Sequence, residues 1–263
     1  MSATSFLSPT QNVPLNSLRG VKYQETVVST STKRTPTRHF GIRPGGEEEK
    51  PKGPLVVFSF VVPAHTSVED PKINYKEQQV ILRKALRAHI PKGLLLETRE
   101  KGVLFPVVHF KEEPFALQKS TFNEELSTEI ILHQGVYREV RCITPEDQLT
   151  TWTPNPSPHH KGYIILGFKA LDNSFNKVMV DSWKDWTGAR YIYMYLPDEL
   201  GLSKITFYHR EAPDSLDMFM YIVLVECNTI TTTERQMLLL DFAQRMRVER
   251  MSGYVSVYAE SLS

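Results

Sequence analysis

The sequence predicts an α+β fold dominated by strands, arranged as two small β-sandwich-like subdomains with two or three helices. About ten segments carry the alternating or β-branched pattern of strands, against two or three with helical spacing. A proline-rich connection divides these segments into two groups. Strands and helices do not alternate along the chain, so a doubly wound nucleotide-binding sheet is not predicted. The 263 residues, 41% of them hydrophobic, are enough to bury a core.

Residues 1–54 are predicted to form a flexible basic arm. Up to residue 45 the chain has six Lys and Arg residues against the single acid Glu25, and it is rich in Ser, Thr, Pro and Gly. A segment of this composition buries too few apolar residues to offset the conformational entropy that it would lose on folding. Three of its cations, Lys33, Arg34 and Arg38, are candidates for contact with phosphate, and a solvated tail is the alternative interpretation.

Residues 55–143 are predicted to form the first subdomain. Its strands are indicated by β-branched and aromatic runs, and its main helix by Leu82, Leu86 and Ile90, which recur every four residues. Gln134 and Gly135 are interpreted as the turn of a hairpin. The predicted elements are, in order, strand 55–62, helix 75–90, strands 94–98 and 103–110 joined by a turn at 101–102, a short helix over 114–126, and strands 128–133 and 136–143.

Residues 144–161 contain four prolines and are predicted to be an irregular connection to the second subdomain, residues 162–263. One helix in that subdomain is indicated by the spacing of Leu238, Phe242 and Met246 and by a capping box at residues 231–234. The predicted elements are strands 163–171, 177–183, 190–196, 204–209 and 217–226, a helix over 231–251, and a strand at 254–259.

Motifs that would indicate catalysis or metal binding do not occur in the sequence. It has no phosphate-binding glycine loop, no nucleophile elbow and no paired-cysteine metal motif. Cys142 and Cys227 are too few for a disulfide framework and favour a reducing compartment. No apolar run approaches the roughly twenty residues of a membrane-spanning helix. We therefore predict that the chain is not an enzyme and has no catalytic residue, metal, cofactor or small-molecule substrate.

Basic residues are concentrated on one face of the predicted helix 75–90. Lys76, Arg83 and Arg87 fall within an arc of about 40° at 100° per residue, and Lys84 lies at its flank. A basic face opposite a Leu/Ile face suits contact with phosphate on a membrane or nucleic acid. The alternative is a helix that packs by its apolar face and exposes the charged one to solvent.

Tyr191, Tyr193 and Tyr195 alternate along the predicted strand 190–196 and would therefore share one of its faces. Three tyrosines in a row can form a surface for base stacking or protein contact. They can equally line the partly solvated side of a sheet.

The order of elements in the first half resembles that of matrix proteins from negative-strand RNA viruses. The residues that carry this resemblance are the run 55–63, the Leu-rich helix 80–90, the strands 94–98 and 103–110 around Lys101 and Gly102, and the strand 130–133. The resemblance implies a protein that does not catalyse a reaction, self-associates, and bridges the inner face of an anionic membrane to a nucleocapsid.

Under this hypothesis the chain is a peripheral membrane protein of the virion and host cytoplasm, with the nucleus as a further location. Its partners would be an anionic membrane surface, nucleocapsid or RNA, and further copies of itself. The cations named above would contact phosphate, each contributing about 1 kcal/mol near an anionic surface. Two alternatives stay open: a nucleic-acid-binding viral protein of the movement or nucleocapsid-associated type, and an enzyme with an unrecognised β-rich site.

Overall fold

The chain forms one antiparallel sheet with helices packed on its outside. The computed structural model describes residues 24–27, 53–63, 80, 83–84, 86–87, 93–100, 107–110, 130–145, 161–170, 175–250 and 253–261. Strands outnumber helices among these residues, so the predicted β-dominated α+β class is confirmed. In the described part of the chain, each helix is too short or too polar to cross a membrane.

The described residues form nine strands of the sheet. They are β1 (Gln24–Val27), β2 (Leu55–Pro63), β3 (Leu94–Thr98), β4 (Val107–Phe110), β5 (Ile130–Thr144), β6 (Gly162–Phe168), β7 (Leu202–Ala212), β8 (Tyr221–Cys227) and β9 (Tyr254–Glu260). Their order is β1-β5-β2-β4-β3-β9-β6-β8-β7. Because β5 also pairs with β7, strands β2 to β9 close into a ring. Strand β1, which lies in the segment predicted as a flexible arm, pairs with the last residues of β5.

The ring consists of two halves with the same strand order. In the first half the order is β5-β2-β4-β3, and in the second it is β9-β6-β8-β7. Numbering the strands of each half from one to four gives 4-1-3-2 in both. The halves meet edge to edge, at a β3–β9 seam and a β5–β7 seam. Two separate sandwich-like subdomains are therefore replaced by one shared sheet.

Four helices are described in the second half: α1 (Lys177–Asp181), α2 (Trp183–Trp186), α3 (Ala189–Tyr195) and α4 (Thr233–Arg250). A short 3-10 turn, Asp198–Leu200, follows α3. The predicted helix 231–251 and strand 254–259 are confirmed by α4 and β9. In the first half Val80, Arg83, Lys84, Leu86 and Arg87 are helical, in agreement with the helix predicted there.

The strands predicted at 177–183 and 190–196 are wrong, because both segments are helical. Asn176 caps the first of them, and its side chain accepts a hydrogen bond from the Met179 backbone N–H at 3.1 Å. In the second, Ala189, Ile192 and Leu196 are buried at a spacing of three and four residues. Tertiary burial of this helical face outweighs the β propensity of the tyrosines between them.

The hairpin predicted at Gln134 and Gly135 is also wrong, because β5 runs through both residues without a turn. Gly135 pairs with Phe58 across the β2–β5 ladder. A Cβ at this position would lie 2.7 Å from the Met218 methyl and 2.8 Å from the Tyr137 ring. Glycine is therefore required here for close packing, and not for a turn.

Two hydrophobic clusters lie on opposite faces of the closed sheet. The outer cluster joins helix residues such as Trp183, Ile192 and Phe242 to the outward side chains of β6 to β9. Among the described residues, the buried members of the inner cluster lie on strands, for example Phe58, Tyr137 and Tyr208. Alternation along each strand separates the two sets, so the inside of the ring is a packed core.

Polar side chains stabilise the short β3–β9 seam, in which three residues of β3 pair with three of β9. Glu100 follows β3, and its Oε2 accepts hydrogen bonds from the Ser256 hydroxyl at 2.7 Å and the Val257 N–H at 2.9 Å. The same carboxylate forms an ion pair with Arg247 of α4. The first half is thereby tied to both a strand and a helix of the second half.

Both cysteines are buried and free. Burial, with a smaller contribution from Glu226, raises the pKa of the Cys227 thiol to about 12. We expect neither thiol to react with a chromogenic disulfide at about pH 8 unless denaturant is present, because thiolate is the reactive form. Above about pH 9 the unfolded thiol ionises while the folded one stays protonated, so this group lowers stability as the pH rises towards 12. Rapid labelling of both thiols in the native protein would contradict this expectation.

Candidate functional site

The predicted basic face is used largely for bonds within the chain. Arg83 forms an ion pair with Glu97 of β3, and Arg87 donates a hydrogen bond from Nη2 to the Ser261 carbonyl at 2.6 Å. The Ser261 hydroxyl also donates to Glu97, at 2.7 Å. These guanidinium groups therefore support the β3–β9 seam and are not presented as free cations. Lys84 is exposed, whereas Lys33, Arg34, Arg38 and Lys76 lie outside the described residues.

The three tyrosines predicted to share a strand face lie on helix α3. Tyr191 and Tyr195, four residues apart, have ring centroids separated by 4.9 Å, while Tyr193 points to a different side of the helix. Tyr191 packs on Phe242 and donates from its hydroxyl to Glu249 Oε2 at 3.0 Å. Tyr195 remains 52% exposed. The prediction of one continuous stacking face is therefore wrong, because a helix distributes alternate residues around its axis.

A cleft of about 410 Å³ lies next to these tyrosines. It is bounded by the end of β6, by the turn between α2 and α3, and by the last turns of α4. We call it the α2–α4 cleft. Its lining residues are Phe168, Asp185, Trp186, Thr187, Gly188, Met246 and Glu249.

Apolar side chains that are fixed in position lie at the bottom of the α2–α4 cleft, whose accessible surface is mostly polar. Phe168 and Trp186 meet edge to face with ring centroids 5.0 Å apart. The indole Nε1–H of Trp186 donates to the Met179 carbonyl at 2.7 Å, which holds the ring in one orientation. Met246 is buried beside them. Gly188 has a φ of +80°, and a Cβ there would lie 2.7 Å from the Met246 methyl.

Two carboxylates form the rim of the α2–α4 cleft. Asp185 pairs with Arg190, whose Nε lies 2.6 Å from the carboxylate, and both side chains are more than half exposed. Glu249 is exposed and accepts the hydrogen bond from Tyr191 described above. Thr187 lies between them, but its hydroxyl donates to the Trp183 carbonyl at 2.6 Å and accepts from the Ala189 N–H at 3.2 Å. The rim thus offers carboxylate oxygens above an aromatic floor.

A second cleft lies between the start of β6, the end of β9 and the first turns of α4. Arg99, Lys161, Gln236 and Glu260 contribute its polar groups. Its volume of about 30 Å³ is close to the share of one water molecule in the liquid. It has no room for an organic molecule.

The inside of the closed sheet contains four buried tyrosines, Tyr137, Tyr163, Tyr208 and Tyr258. Burial raises the pKa of each phenol above its ordinary value, because a phenolate would lose its hydration there. The phenols therefore stay neutral, and Tyr137 donates to the Phe219 carbonyl at 2.8 Å. Among the described residues, no three His, Cys, Asp or Glu side chains are placed to hold a metal ion.

Comparison with known families assigns the chain. The family described as Domain of unknown function (DUF7153) matches residues 90–260. The chain belongs to this family. The match begins just before β3 and ends at the last residue of β9, so it contains both ends of the β3–β9 seam and every residue of the α2–α4 cleft. No curated protein sequence matches the chain.

Several solved structures are loosely similar in shape. An anthrone oxidase-like protein aligns over 79% of this chain and 91% of its own, with 9% identity and a TM-score of 0.49. A mutant chlorite dismutase from Candidatus Nitrospira defluvii, in complex with cyanide, aligns over 79% and 90%, with 14% identity and a TM-score of 0.35. Likenesses this distant assign no activity, substrate or cofactor to the chain.

The prediction of a viral matrix-type assembly protein is wrong. The two β-sandwich-like subdomains predicted with it are replaced by one closed sheet, and none of the solved structures named above is a matrix protein. The prediction that the chain is a structural component of a virion is wrong for the same reason. The expectation that the chain is not an enzyme stays a prediction. The predicted self-association, membrane and RNA partners, and location stay predictions.

Sequence reasoning missed the residues of the α2–α4 cleft. Trp186 and Gly188 lie between the strands predicted at 177–183 and 190–196, and no site was predicted there. A usable signal was the spacing of Ala189, Ile192 and Leu196, which indicates a helix starting directly after Gly188. That helix would have placed Trp186 and Gly188 at a helix junction.

Proposed function

We propose that this chain binds a small organic molecule in the α2–α4 cleft. The observation that carries the proposal is the combination, in one recess, of adequate volume and a fixed aromatic floor. Sites for small molecules in proteins have volumes of roughly 300–1,000 Å³ and apolar linings with a few oriented polar groups. The cleft, at about 410 Å³, lies within that range.

The floor is prepared for binding before a ligand arrives. Trp186 is held by its bond to the Met179 carbonyl and by edge-to-face contacts with Phe168, Phe207 and Tyr221. A ligand would therefore not need to order this side chain, which reduces the entropic cost of binding. Met246, which is buried, lies at the bottom of the cleft.

The volume of the second cleft supports the choice of the α2–α4 cleft as the binding site. The second cleft has less than a tenth of the volume of the α2–α4 cleft. Of the two recesses described above, the α2–α4 cleft on the outer surface is the one with room for an organic molecule. This proposal departs from the expectation, drawn from the sequence, that the chain has no small-molecule substrate.

The proposal is tested by methyl NMR of the full chain labelled at its methionine ε-methyl groups. Met246 lines the cleft, while Met237 lies on the same helix, is 60% exposed and does not line it. In a screen of small organic molecules at about millimolar concentration, where weak ligands are half bound, we expect some to shift the Met246 signal selectively. The Met246 signal is assigned with a Met246→Leu variant.

Selectivity decides the outcome of the screen. A ligand of the α2–α4 cleft shifts Met246 and leaves Met237 unchanged. Compounds that shift both methyl groups equally would indicate nonspecific contact. A screen in which no compound shifts Met246 alone would overturn the proposal.

A further inference from the structure

We infer that the ligand of the α2–α4 cleft is an organic cation, an amine attached to an aromatic or aliphatic group. The inference rests on the proposed function, since it concerns the same cleft. It follows from three properties of the lining: the sign of its charge, the use of its hydrogen-bond donors, and the orientation of its aromatic rings.

Among the described residues, the charged groups that line the cleft are acidic. They are Asp185 and Glu249, and no described lining residue is basic. The guanidinium group of Arg190 lies beside Asp185 and neutralises part of the rim. Glu249, in contrast, accepts a hydrogen bond from the neutral phenol of Tyr191, and this bond does not neutralise its charge. Its negative charge therefore attracts a positive group and repels an anion.

The side-chain donors of the lining are already used within the chain. The Trp186 N–H donates to Met179, and the Thr187 hydroxyl donates to Trp183. What the side chains offer to a ligand is therefore mainly carboxylate oxygen, which only accepts hydrogen bonds. A ligand that is complementary to them must supply the donors, and an ammonium group has up to three.

The aromatic floor favours the same chemistry. The electron-rich faces of indole and phenyl rings attract cations, and Trp is the strongest of these rings. Trp186 and Phe168 lie together under the rim carboxylates. An amine with an apolar substituent can place its charge beside Glu249 and its apolar part against the exposed part of Trp186. A carboxylate or phosphate ligand has no matching donor among these side chains.

The test compares three probes of nearly equal size that differ in charge. They are 2-phenylethylammonium, the neutral 2-phenylethanol and the anionic 3-phenylpropanoate, each titrated against the full chain and followed by the Met246 methyl shift. We expect the ammonium ion to bind at least about tenfold more tightly than the alcohol, and the anion to bind most weakly.

Two variants separate charge from shape. Glu249→Gln keeps an acceptor for the Tyr191 hydroxyl but removes the negative charge, so it should weaken binding of the ammonium ion by roughly five- to tenfold and leave the alcohol unchanged. Glu199→Gln removes an exposed acid that does not line the cleft and should change neither affinity.

The outcomes distinguish the two proposals. Equal affinity for the ammonium ion and the alcohol, or unchanged ammonium binding in Glu249→Gln, would overturn the inference of a cationic ligand and leave the binding function standing. Selective binding of neutral or anionic molecules, with no response to the ammonium ion, would overturn it as well. If no compound of any charge shifts Met246 selectively, the proposed function itself fails.

Discussion

Replacing Trp183 with alanine is expected to lower the free energy of unfolding by about 3–5 kcal/mol. Trp183 is fully buried in the outer cluster, where its ring stacks on Phe207 with centroids 5.1 Å apart. Removing it leaves a cavity between helix α2 and strand β7, because the surrounding strands are fixed by their ladders and cannot close the space. Urea unfolding followed by far-UV circular dichroism measures the change.

The matched control for this substitution is Val178→Ala. Val178 lies on helix α1, one turn from Trp183, but it is 76% exposed. Its replacement should change stability by less than about 0.5 kcal/mol, as is usual for surface positions. If Trp183→Ala were no more destabilising than Val178→Ala, the packing of α2 on the sheet described above would be contradicted.

Replacing Glu100 with alanine is expected to destabilise the chain by about 3–5 kcal/mol, through the β3–β9 seam. The substitution removes the partner of Arg247 and leaves the Ser256 hydroxyl and the Val257 N–H without their acceptor. Both Glu100 and Arg247 are largely shielded from water, so solvent replaces the lost bonds poorly. Equilibrium unfolding in urea gives the magnitude.

Two comparisons show whether the effect belongs to the seam. Glu100→Gln keeps an acceptor for Ser256 or Val257 but loses the ion pair, so its cost should be smaller than that of Glu100→Ala. Asp241→Asn breaks the exposed pair with Arg245 on α4, and pairs of this kind contribute less than about 1 kcal/mol. Equal effects of Glu100→Ala and Asp241→Asn would show that the seam does not depend on Glu100.

Strands with strong local signals could be predicted from the sequence. The β-branched run of β2, the compact apolar strand β3 and the spacing of Leu238, Phe242 and Met246 in α4 were each recognised. The β-branched residues Val178 and Val180 favour a strand in segment 177–183. Only the burial of Val180 and Trp183, three residues apart, favours a helical conformation instead, and burial is a tertiary property.

The internal duplication was not visible in the sequence. The two halves share a strand order, and their first two connections are similar in length, yet their side chains do not repeat at a fixed period. What is common to both is the pattern of pairing, which depends on contacts far apart along the chain. Pairing of β3 with β9 joins residues more than 150 positions apart, a distance at which local patterns carry no information.

The α2–α4 cleft could not be predicted for a related reason. Its residues come from three separate segments: the end of β6, residues 185–188, and the last turns of α4. Each is ordinary in its own segment, and only the packing of α4 beside the α2–α3 turn brings Glu249 and Met246 near Trp186. The basic face of the first helix shows the limit of a local pattern. Its cations are evident in the sequence, but only the fold shows that Arg83 and Arg87 bond to neighbours, and contact of this face with phosphate stays a prediction.

The central claim, that the α2–α4 cleft holds a ligand, is tested most directly by comparing ligand affinity in Gly188→Ala and Gly201→Ala. Both glycines have positive φ, +80° and +61°, so both substitutions carry a similar backbone strain of about 1 kcal/mol. Only at Gly188 would the new methyl group meet Met246 in the cleft; at Gly201 it would meet Thr229. We predict that Gly188→Ala weakens binding severalfold while Gly201→Ala binds as the unaltered chain does. Equal affinity in the two variants would place the ligand elsewhere and contradict the account.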